Sequence, residues 1–257
     1  MMGQTVTVRG ICLGEGMPKI CIPLTGKTKQ EILLEAQKAR KAGADVTEWR
    51  VDWFEGSRDA SRVEDVLREL RGELGEIPLL FTFRTAREGG EREPESGEYR
   101  RLCEGVLALR LADMLDVELS AGEETVKALL DAAHRKQVPV ILSCHHFDRT
   151  PGREEMADTL RRMRKAGADL AKLAVMPETA RDVLELLAAT EEVGEEEGCP
   201  LITMSMSGLG MASRLCGELT GSVLTFGTAG KSSAPGQPDA GELRNVLELL
   251  HRDMPKC

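Results

Sequence analysis

Two predicted strands carry side chains that could do chemistry from inside a buried sheet. Glu48, Arg50 and Asp52 alternate with apolar residues in EWRVD, so the three charged side chains share one face. Lys172 stands among leucine, alanine and valine in LAKLAV. In a parallel strand that is buried on both faces, such charges must pair with one another or with a polar ligand. We therefore interpret both strands as parts of a functional site.

Lys172 is the predicted nucleophile. An ammonium group is costly to desolvate in this apolar setting, whereas a neutral amine can attack a carbonyl carbon and form a Schiff base. The alternative is a structural lysine that reaches the rim of the sheet or pairs with a carboxylate. Lys19 competes for the nucleophilic role, but it lies at the beginning of its predicted strand and so towards the opposite face.

Two of the four histidines, His145 and His146, end one predicted strand in SCHHF. A histidine near a nucleophilic lysine is suited to general acid and base catalysis. Metal binding is the alternative, although no HxH or HExxH spacing supports it. Its further ligands would be Glu118, Glu48 or Asp52. The remaining histidines fall in predicted helices and are expected at the surface: His134 and His251.

Arginines follow two further predicted strands. FTFRTAREGG places Arg84 at the end of one strand and Glu88 in the glycine-rich loop after it. SGLGMASR places Arg214 at the start of a helix, where its guanidinium and the helix amides could hold a carboxylate. GLGMAS also resembles a dinucleotide-binding loop. We discount NAD because Ser213 replaces the third glycine and no acidic residue ends the next strand.

The candidate residues belong to a regular alternation of strands and helices. Strands are predicted at 19–24, 45–51, 78–84, 114–119, 139–144, 170–175, 200–205 and 222–227. Helices are predicted at 28–42, 60–73, 97–110, 123–136, 153–166, 178–193, 209–219 and 240–252. Eight units of about thirty residues predict an α/β fold, a (β/α)8 TIM barrel, with active-site groups at the carboxyl ends of the strands. An open doubly wound sheet is the alternative.

Residues 5–14 predict an additional N-terminal β-hairpin at the bottom of the barrel. No linker divides the chain, so we expect residues 1–257 to form a single (β/α)8 barrel catalytic domain. The stretch 227–239 is predicted to be a long mobile loop after the last strand. RKAGAD occurs twice, at 40–45 and 164–169, and its basic residues and glycine are typical of a helix end that turns into a strand.

Composition excludes several classes of partner. The net charge is −9 and no basic block occurs, so neither nucleic acid nor an anionic membrane is expected. There is no run of eighteen apolar residues and no N-terminal signal pattern. The seven cysteines are scattered and contain no CxxC pair, which favours reduced thiols in the cytoplasm over disulfides or a zinc cluster.

Taken together, the motifs resemble the type I 3-dehydroquinate dehydratases, the Schiff-base enzymes of the shikimate pathway. The resemblance covers nearly the whole chain, in order and at successive strand ends. Its carriers are VTVRG, GEGMPKI, EWRVDWFE, LLFTFRTAREGGE, ILSCHHF with the following TP, ADLAKLAVMP, LITMSMSGLGMASRL and LTFGTAGKSSAPGQ. It implies a (β/α)8 barrel, usually a homodimer, that converts 3-dehydroquinate to 3-dehydroshikimate without a metal or an organic cofactor.

The resemblance also implies individual roles. Lys172 would form an imine with the ketone of 3-dehydroquinate, His145 would be the general acid and base, and Glu88 would orient that histidine. Substrate binding would fall to Glu48, Arg50, Arg84, Met206, Arg214, Phe226, Ser233, Ala234 and Gln237. The sequence departs from the family pattern at His146, where an acidic or other polar residue is commoner, and at Pro23, where some relatives have serine.

Two other functions remain open at this level. A class I aldolase would share the strand lysine, but it would not need Glu48, Arg50 and Arg84 arrayed for a polyhydroxylated ring. A degenerate barrel that serves as a binding or scaffold module would not need the complete set of lysine, histidine and arginines.

Overall fold

The computed structural model describes residues 5–95, 97–196, 198–230 and 233–254, and a barrel of eight parallel strands forms its centre. Residues 1–4, 96, 197, 231–232 and 255–257 of the predicted domain lie outside the described residues. The barrel strands are β3 (Lys19–Leu24), β4 (Val46–Arg50), β5 (Leu79–Thr82), β6 (Met114–Glu118), β7 (Val140–His146), β8 (Leu170–Val175), β9 (Leu201–Ser205) and β10 (Leu224–Phe226).

Each barrel strand pairs in parallel with its neighbour, in the order β10-β3-β4-β5-β6-β7-β8-β9. The seam between β9 and β10 is bridged at Leu201 and Ser222, where the Val223 amide also donates to the Leu201 carbonyl at 2.8 Å. The predicted (β/α)8 barrel is therefore confirmed, and the open doubly wound sheet is wrong.

Helices surround the barrel between successive strands. They are α1 (Lys29–Lys41), α2 (Ala60–Leu74), α3 (Glu98–Leu109), α4 (Glu123–His134), α5 (Arg153–Ala166), α6 (Ala180–Gly194), α7 (Met211–Leu215), α8 (Gly217–Thr220) and α9 (Ala240–Asp253). Thr28 and Thr179 begin α1 and α6 with capping boxes, and aspartates cap α2 and α9.

The single helix predicted at 209–219 is instead two short helices, α7 and α8. The helix is interrupted at Cys216, and the backbone of the next residue, Gly217, packs closely against Ser222 and Pro18. A Cβ on Gly217 would lie 2.6 Å from the Ser222 carbonyl oxygen and 2.7 Å from Pro18. This close approach between the helix and the start of β10 is a tertiary constraint that helical periodicity cannot reveal.

The interior of the barrel has its own apolar core, separate from the one beneath the helices, and it begins at the amino ends of the strands. Val46, Leu80 and Met114 are buried there with Val8 and Leu13. The last two belong to β1 (Val6–Val8) and β2 (Ile11–Leu13), an antiparallel hairpin that plugs this end of the barrel. The predicted N-terminal hairpin at the bottom is therefore confirmed.

Aspartates fix neighbouring strands of the barrel to one another. Asp45, the last residue of the first RKAGAD, accepts the Ile20 amide at 2.7 Å, and Asp169, its counterpart in the second, accepts the Val140 amide at 2.7 Å. Asp113 accepts the Leu79 amide at 2.8 Å in the same way. These carboxylates thus set the register of β4, β6 and β8 against the strands before them.

No helix among the described residues is long and apolar enough to cross a membrane. The cysteines that the structure describes are free thiols, while Cys257 lies outside the described residues. His134 and His251 are half-exposed, as predicted.

Candidate active site

Side chains from the four even-numbered barrel strands meet in one layer around Lys172. The Lys172 Nζ lies 3.7 Å from Glu48 Oε1 on β4, 3.6 Å from Asp116 Oδ2 on β6, and 4.5 Å from the centre of the Phe226 ring on β10. Its side chain is 5% exposed. The carboxylates and the ring face compensate the loss of hydration of a buried ammonium. Lys19, the competing candidate, lies at the other end of the barrel, where it donates to the backbone carbonyls of Glu15 and Met17.

Arg84 is the most highly coordinated side chain of the site. One guanidinium nitrogen donates to Glu118 at 2.8 Å and to the Ser143 hydroxyl at 3.0 Å. The other terminal nitrogen donates to Asp116 at 2.8 Å, and the first nitrogen lies 3.6 Å from Glu88 Oε2. Burial alone would lower the pKa of Arg84, but the surrounding carboxylates raise it above its ordinary value. Arg84 is therefore a permanent positive charge that allows these carboxylates to be buried.

Arg50 and Asp52 form a bidentate ion pair, with distances of 2.9 and 2.8 Å. Asp52 follows β4 in a short 3₁₀ turn and also accepts the amides of Arg84 and Glu91. The paired charges that EWRVD predicts are thus present. They tie the end of β4 to the loop that carries Glu88.

His145 is held by Glu88. Its Nδ1 lies 2.8 Å from Glu88 Oε2, which also accepts the His145 amide at 3.1 Å. Burial, and then the positive charges of Arg84 and Lys172, hold the pKa of His145 well below its ordinary value. The imidazole is therefore neutral near pH 7, with Nδ1–H donated to Glu88 and Nε2 left to accept a proton.

His146 differs from His145 in its surroundings. Its Nε2 contacts the Cys144 sulfur at 3.6 Å, and it does not line the pocket that holds Lys172.

Phe147 stacks on the His145 ring at a centroid distance of 6.4 Å and lies against Gly89. A Cβ on Gly89, whose φ is +79°, would clash with the Phe147 ring. Glycine after Glu88 thus lets the phenyl ring approach the histidine.

Arg214 is the opposite of Arg84 in its pairing. It lies in α7 and is 1% exposed. Among the described residues, its guanidinium donates to the Pro235 carbonyl at 3.2 Å and to the Met204 sulfur at 3.9 Å. Its buried Nε has no acceptor among them. Burial lowers the pKa of Arg214 to about 10. A buried cation without a counter-ion is costly, which indicates an anionic ligand.

Ser233, Ala234 and Gln237, in the loop after β10, line the pocket that holds Lys172. The Ser233 amide donates to the Gln237 side-chain oxygen at 2.8 Å, and the two side chains are also hydrogen-bonded. Gly236 lies so close to Ser207 that a Cβ would meet the Ser207 carbonyl, and its φ is +76°. Lys231 and Ser232, which belong to the predicted mobile loop, lie outside the described residues.

A pocket at the carboxyl ends of the strands brings together the residues to which the family resemblance assigns catalytic and substrate-binding roles. These are Glu48, Arg50, Arg84, Glu88, His145, Lys172, Met206, Arg214, Phe226, Ser233, Ala234 and Gln237. The sequence reasoning missed Phe147, Ala174 and Met204 in the lining. Pro23 is buried on β3 in register with Glu48, but it is not among the lining residues.

The sequence reasoning also missed the role of Asp116 and Ser143 beneath the pocket, and it assigned Glu118 only to a metal alternative. MLDVEL carries two carboxylates at alternating positions of a buried strand, which is the same signal as in EWRVD. The carboxylates of that alternative are bound by other protein groups: Glu118 by Arg84 and Thr85, Glu48 by Thr82, and Asp52 by Arg50. Within the described ranges, no group of three or more His, Cys, Asp or Glu is placed to hold a metal.

The fold and the pocket define a barrel enzyme with its reactive groups at the carboxyl ends of the strands. The family model described as type I 3-dehydroquinase matches residues 20–254. The 3-dehydroquinate dehydratases of Bacillus licheniformis and Clostridioides difficile are 50% and 48% identical to this chain, over 98% of its length and all of theirs.

Solved structures agree. The crystal structure of type I 3-dehydroquinate dehydratase from Clostridium difficile with covalently modified comenic acid has a TM-score of 0.95 and 47% identity, covering 99% of this chain and 100% of that one. The enzyme from Geobacillus kaustophilus has a TM-score of 0.95 and 40% identity, covering 98% of each chain. The chain therefore belongs to the type I 3-dehydroquinase family. It is a dehydratase and a lyase, and neither an aldolase nor a non-catalytic scaffold.

We expect Glu88→Gln to change the pH dependence of stability. Burial and then the neighbouring Glu118 raise the pKa of Glu88 from 4.5 to about 7, although Arg84 partly offsets them. Because its folded pKa exceeds its unfolded pKa, ionisation of Glu88 lowers the free energy of unfolding as the pH rises from about 4.5 to 7. Glutamine does not ionise, so the variant does not lose this stability as the pH rises. The free energy of unfolding of the variant minus that of wild type, measured by urea unfolding, should therefore be larger at about pH 8 than at about pH 5.

The same variant should lose activity, with kcat near neutral pH reduced at least about tenfold because His145 loses its anionic acceptor. Glu93→Gln is the control, since Glu93 lies on the same loop but pairs at the surface with Arg87. A stability difference between Glu88→Gln and wild type that is equal at both pH values would contradict the assignment.

Proposed function

We propose that the enzyme dehydrates 3-dehydroquinate to 3-dehydroshikimate through a Schiff base on Lys172, with His145 as general acid and base. The observation that carries the proposal is the buried Arg214 guanidinium, which lacks an anionic partner among the described residues and lines the same pocket as Lys172 and His145. This arrangement suits a small molecule that carries both a carboxylate and a ketone.

The first step is imine formation. His145 takes a proton from the Lys172 ammonium, and the neutral amine then adds to the ketone carbon. The carbinolamine hydroxyl takes up that proton from His145 and leaves as water, which gives a protonated imine. His145, neutral and hydrogen-bonded to Glu88 through Nδ1, exchanges the protons of this step through Nε2. Support for covalent chemistry comes from the C. difficile relative, whose crystal structure contains covalently modified comenic acid.

The second step is elimination. The protonated imine withdraws electrons, so the adjacent carbon can release a proton to a base and form an enamine. The enamine then expels the hydroxyl from the next carbon, which takes up a proton and leaves as water. A further water hydrolyses the new imine, which releases 3-dehydroshikimate and restores the Lys172 amine. The net change is the loss of one water.

The remaining pocket residues would bind and position the substrate. Arg214 would hold the carboxylate, and Glu48 and Arg50 would contact the ring hydroxyls. Arg84, bound to three carboxylates, would position the groups around it. Ser233, Ala234 and Gln237 would close over the substrate, while Met206 and Phe226 would line the ring. The imine is itself the electron sink, so the scheme requires no metal or organic cofactor. We further propose, from the family resemblance, a homodimer in the cytoplasm.

Borohydride reduction in the presence of 3-dehydroquinate, followed by peptide mass spectrometry, tests the nucleophile. We expect a substrate- or product-derived adduct on Lys172, and neither adduct nor turnover in Lys172→Ala. The fold of that variant should persist, because a small neutral residue relieves the desolvation of the ammonium. Lys19→Ala is the matched control and should still be labelled, since Lys19 lies at the other end of the barrel. An adduct on another residue of the wild type would refute the mechanism.

Replacement of Arg214 by methionine tests the carboxylate site. Loss of a charge-assisted contact of about 1.5–3 kcal/mol should raise KM by between about ten- and about a hundredfold. Thermal stability should not fall, because the variant removes an unpaired buried cation. Steady-state kinetics and thermal unfolding measure the two effects. A large loss of stability with an unchanged KM would instead indicate a structural arginine.

A further inference from the structure

Asp116 lies at the centre of the barrel and is completely buried. Its Oδ1 accepts two hydrogen bonds, from Arg84 at 2.8 Å and from the Ser143 hydroxyl at 2.7 Å. Its Oδ2 is buried as well, yet it accepts no hydrogen bond from the residues that the structure describes. A buried carboxylate oxygen without a donor is costly, so this atom indicates a donor that approaches during the reaction.

This oxygen forms an ion pair with the Lys172 ammonium, whose Nζ lies 3.6 Å away. Glu48 Oε1 lies at almost the same distance, 3.7 Å, but it already accepts the Thr82 hydroxyl at 2.9 Å. An ammonium has three N–H bonds and can face both carboxylates. A protonated imine retains one N–H bond, and so it can donate to one acceptor only.

We propose that Asp116 is the counter-ion of the protonated imine on Lys172 and accepts its single N–H through Oδ2. This inference rests on the proposed Schiff-base function. It assigns the two carboxylates beside Lys172 to different tasks, because Glu48 is then released to contact the hydroxyl groups of the substrate. Asp116 would stabilise the protonated form of the imine, which is the form that withdraws electrons from the adjacent carbon.

The remaining surroundings of Lys172 leave this task to the two carboxylates. Cys21 on β3 has its pKa raised well above the ordinary value, mainly by burial, and stays a neutral thiol. His145 on β7 is neutral, and Arg84, two residues after the end of β5, is positive. Complete burial alone would raise the pKa of Asp116, but Arg84, Lys172 and the Ser143 hydroxyl lower it below the ordinary value. Asp116 therefore remains an anion at the imine nitrogen.

Asp116→Asn tests the inference, because asparagine keeps the size of the side chain and can still accept from Arg84 and Ser143. The measurement is the rate of adduct formation on Lys172 with 3-dehydroquinate and cyanoborohydride, which reduces the protonated imine, between about pH 6 and 9. Removal of an opposite charge at this distance should lower the pH midpoint of trapping by about one unit or more. Turnover should also fall.

Glu118→Gln is the matched control. It removes one carboxylate from Arg84, as Asp116→Asn does, but Glu118 is not paired with Lys172. Its midpoint should stay near the wild-type value. The inference is overturned if the pH midpoint of trapping in Asp116→Asn equals that of wild type, or if the midpoints of both variants shift by the same amount. Failure to trap the wild type on Lys172 would instead refute the proposed function itself.

A crystal structure of the reduced wild-type adduct covers the case in which Asp116→Asn does not fold. The Lys172 nitrogen should then lie within hydrogen-bonding distance of Asp116 Oδ2. A nitrogen that is bonded to Glu48 and has moved away from Asp116 would overturn the inference.

Discussion

The active site depends on the ion-pair network of Arg84. Asp116, Glu118 and Glu88 are all buried within reach of one guanidinium, and each would be costly to ionise in the barrel without it. Through them Arg84 positions both reactive groups, since Asp116 faces Lys172 and Glu88 holds His145. Arg214 has the contrary arrangement: it is buried without a carboxylate among the described residues. Arg84 is thus paired with carboxylates of the protein, whereas Arg214 is available to bind the carboxylate of a ligand.

The backbone places these groups at one level of the barrel. Asp45, Asp113 and Asp169 each accept an amide of the preceding strand. Three residues beyond each of them along the chain stand Glu48, Asp116 and Lys172, the three charged side chains that meet in the layer around the lysine. The two RKAGAD segments supply two of these aspartates, Asp45 and Asp169. A carboxylate at the beginning of a strand therefore fixes the height at which a functional side chain enters the barrel.

Much of this architecture follows from local sequence patterns. Strand bounds such as Lys19–Leu24 and Leu170–Val175 were predictable because apolar runs end at clear turns, and Lys172 stood out because a charge interrupts one of those runs. The partners of Lys172 were not predictable, since Asp116 reaches it only when the barrel closes and β6 and β8 bring alternate side chains to one layer. The break between α7 and α8 was missed for a similar reason, because it depends on contacts of Gly217 with distant residues.

The central claim is that Arg84 makes the buried carboxylates of the site possible, and replacement by methionine tests it most directly. Without the guanidinium, the pKa of Asp116, which Arg84 helps to hold below its ordinary value, and the already raised pKa of Glu88 should both rise, so the free energy of unfolding should fall as the pH increases. Urea unfolding of Arg84→Met should show a loss relative to wild type of about 3–5 kcal/mol near pH 8 and a smaller loss near pH 5. Arg161→Met, which removes a surface arginine paired with Glu192 and Glu196, should change little at either pH. A loss for Arg84→Met that is small, or equal at both pH values, would contradict the account.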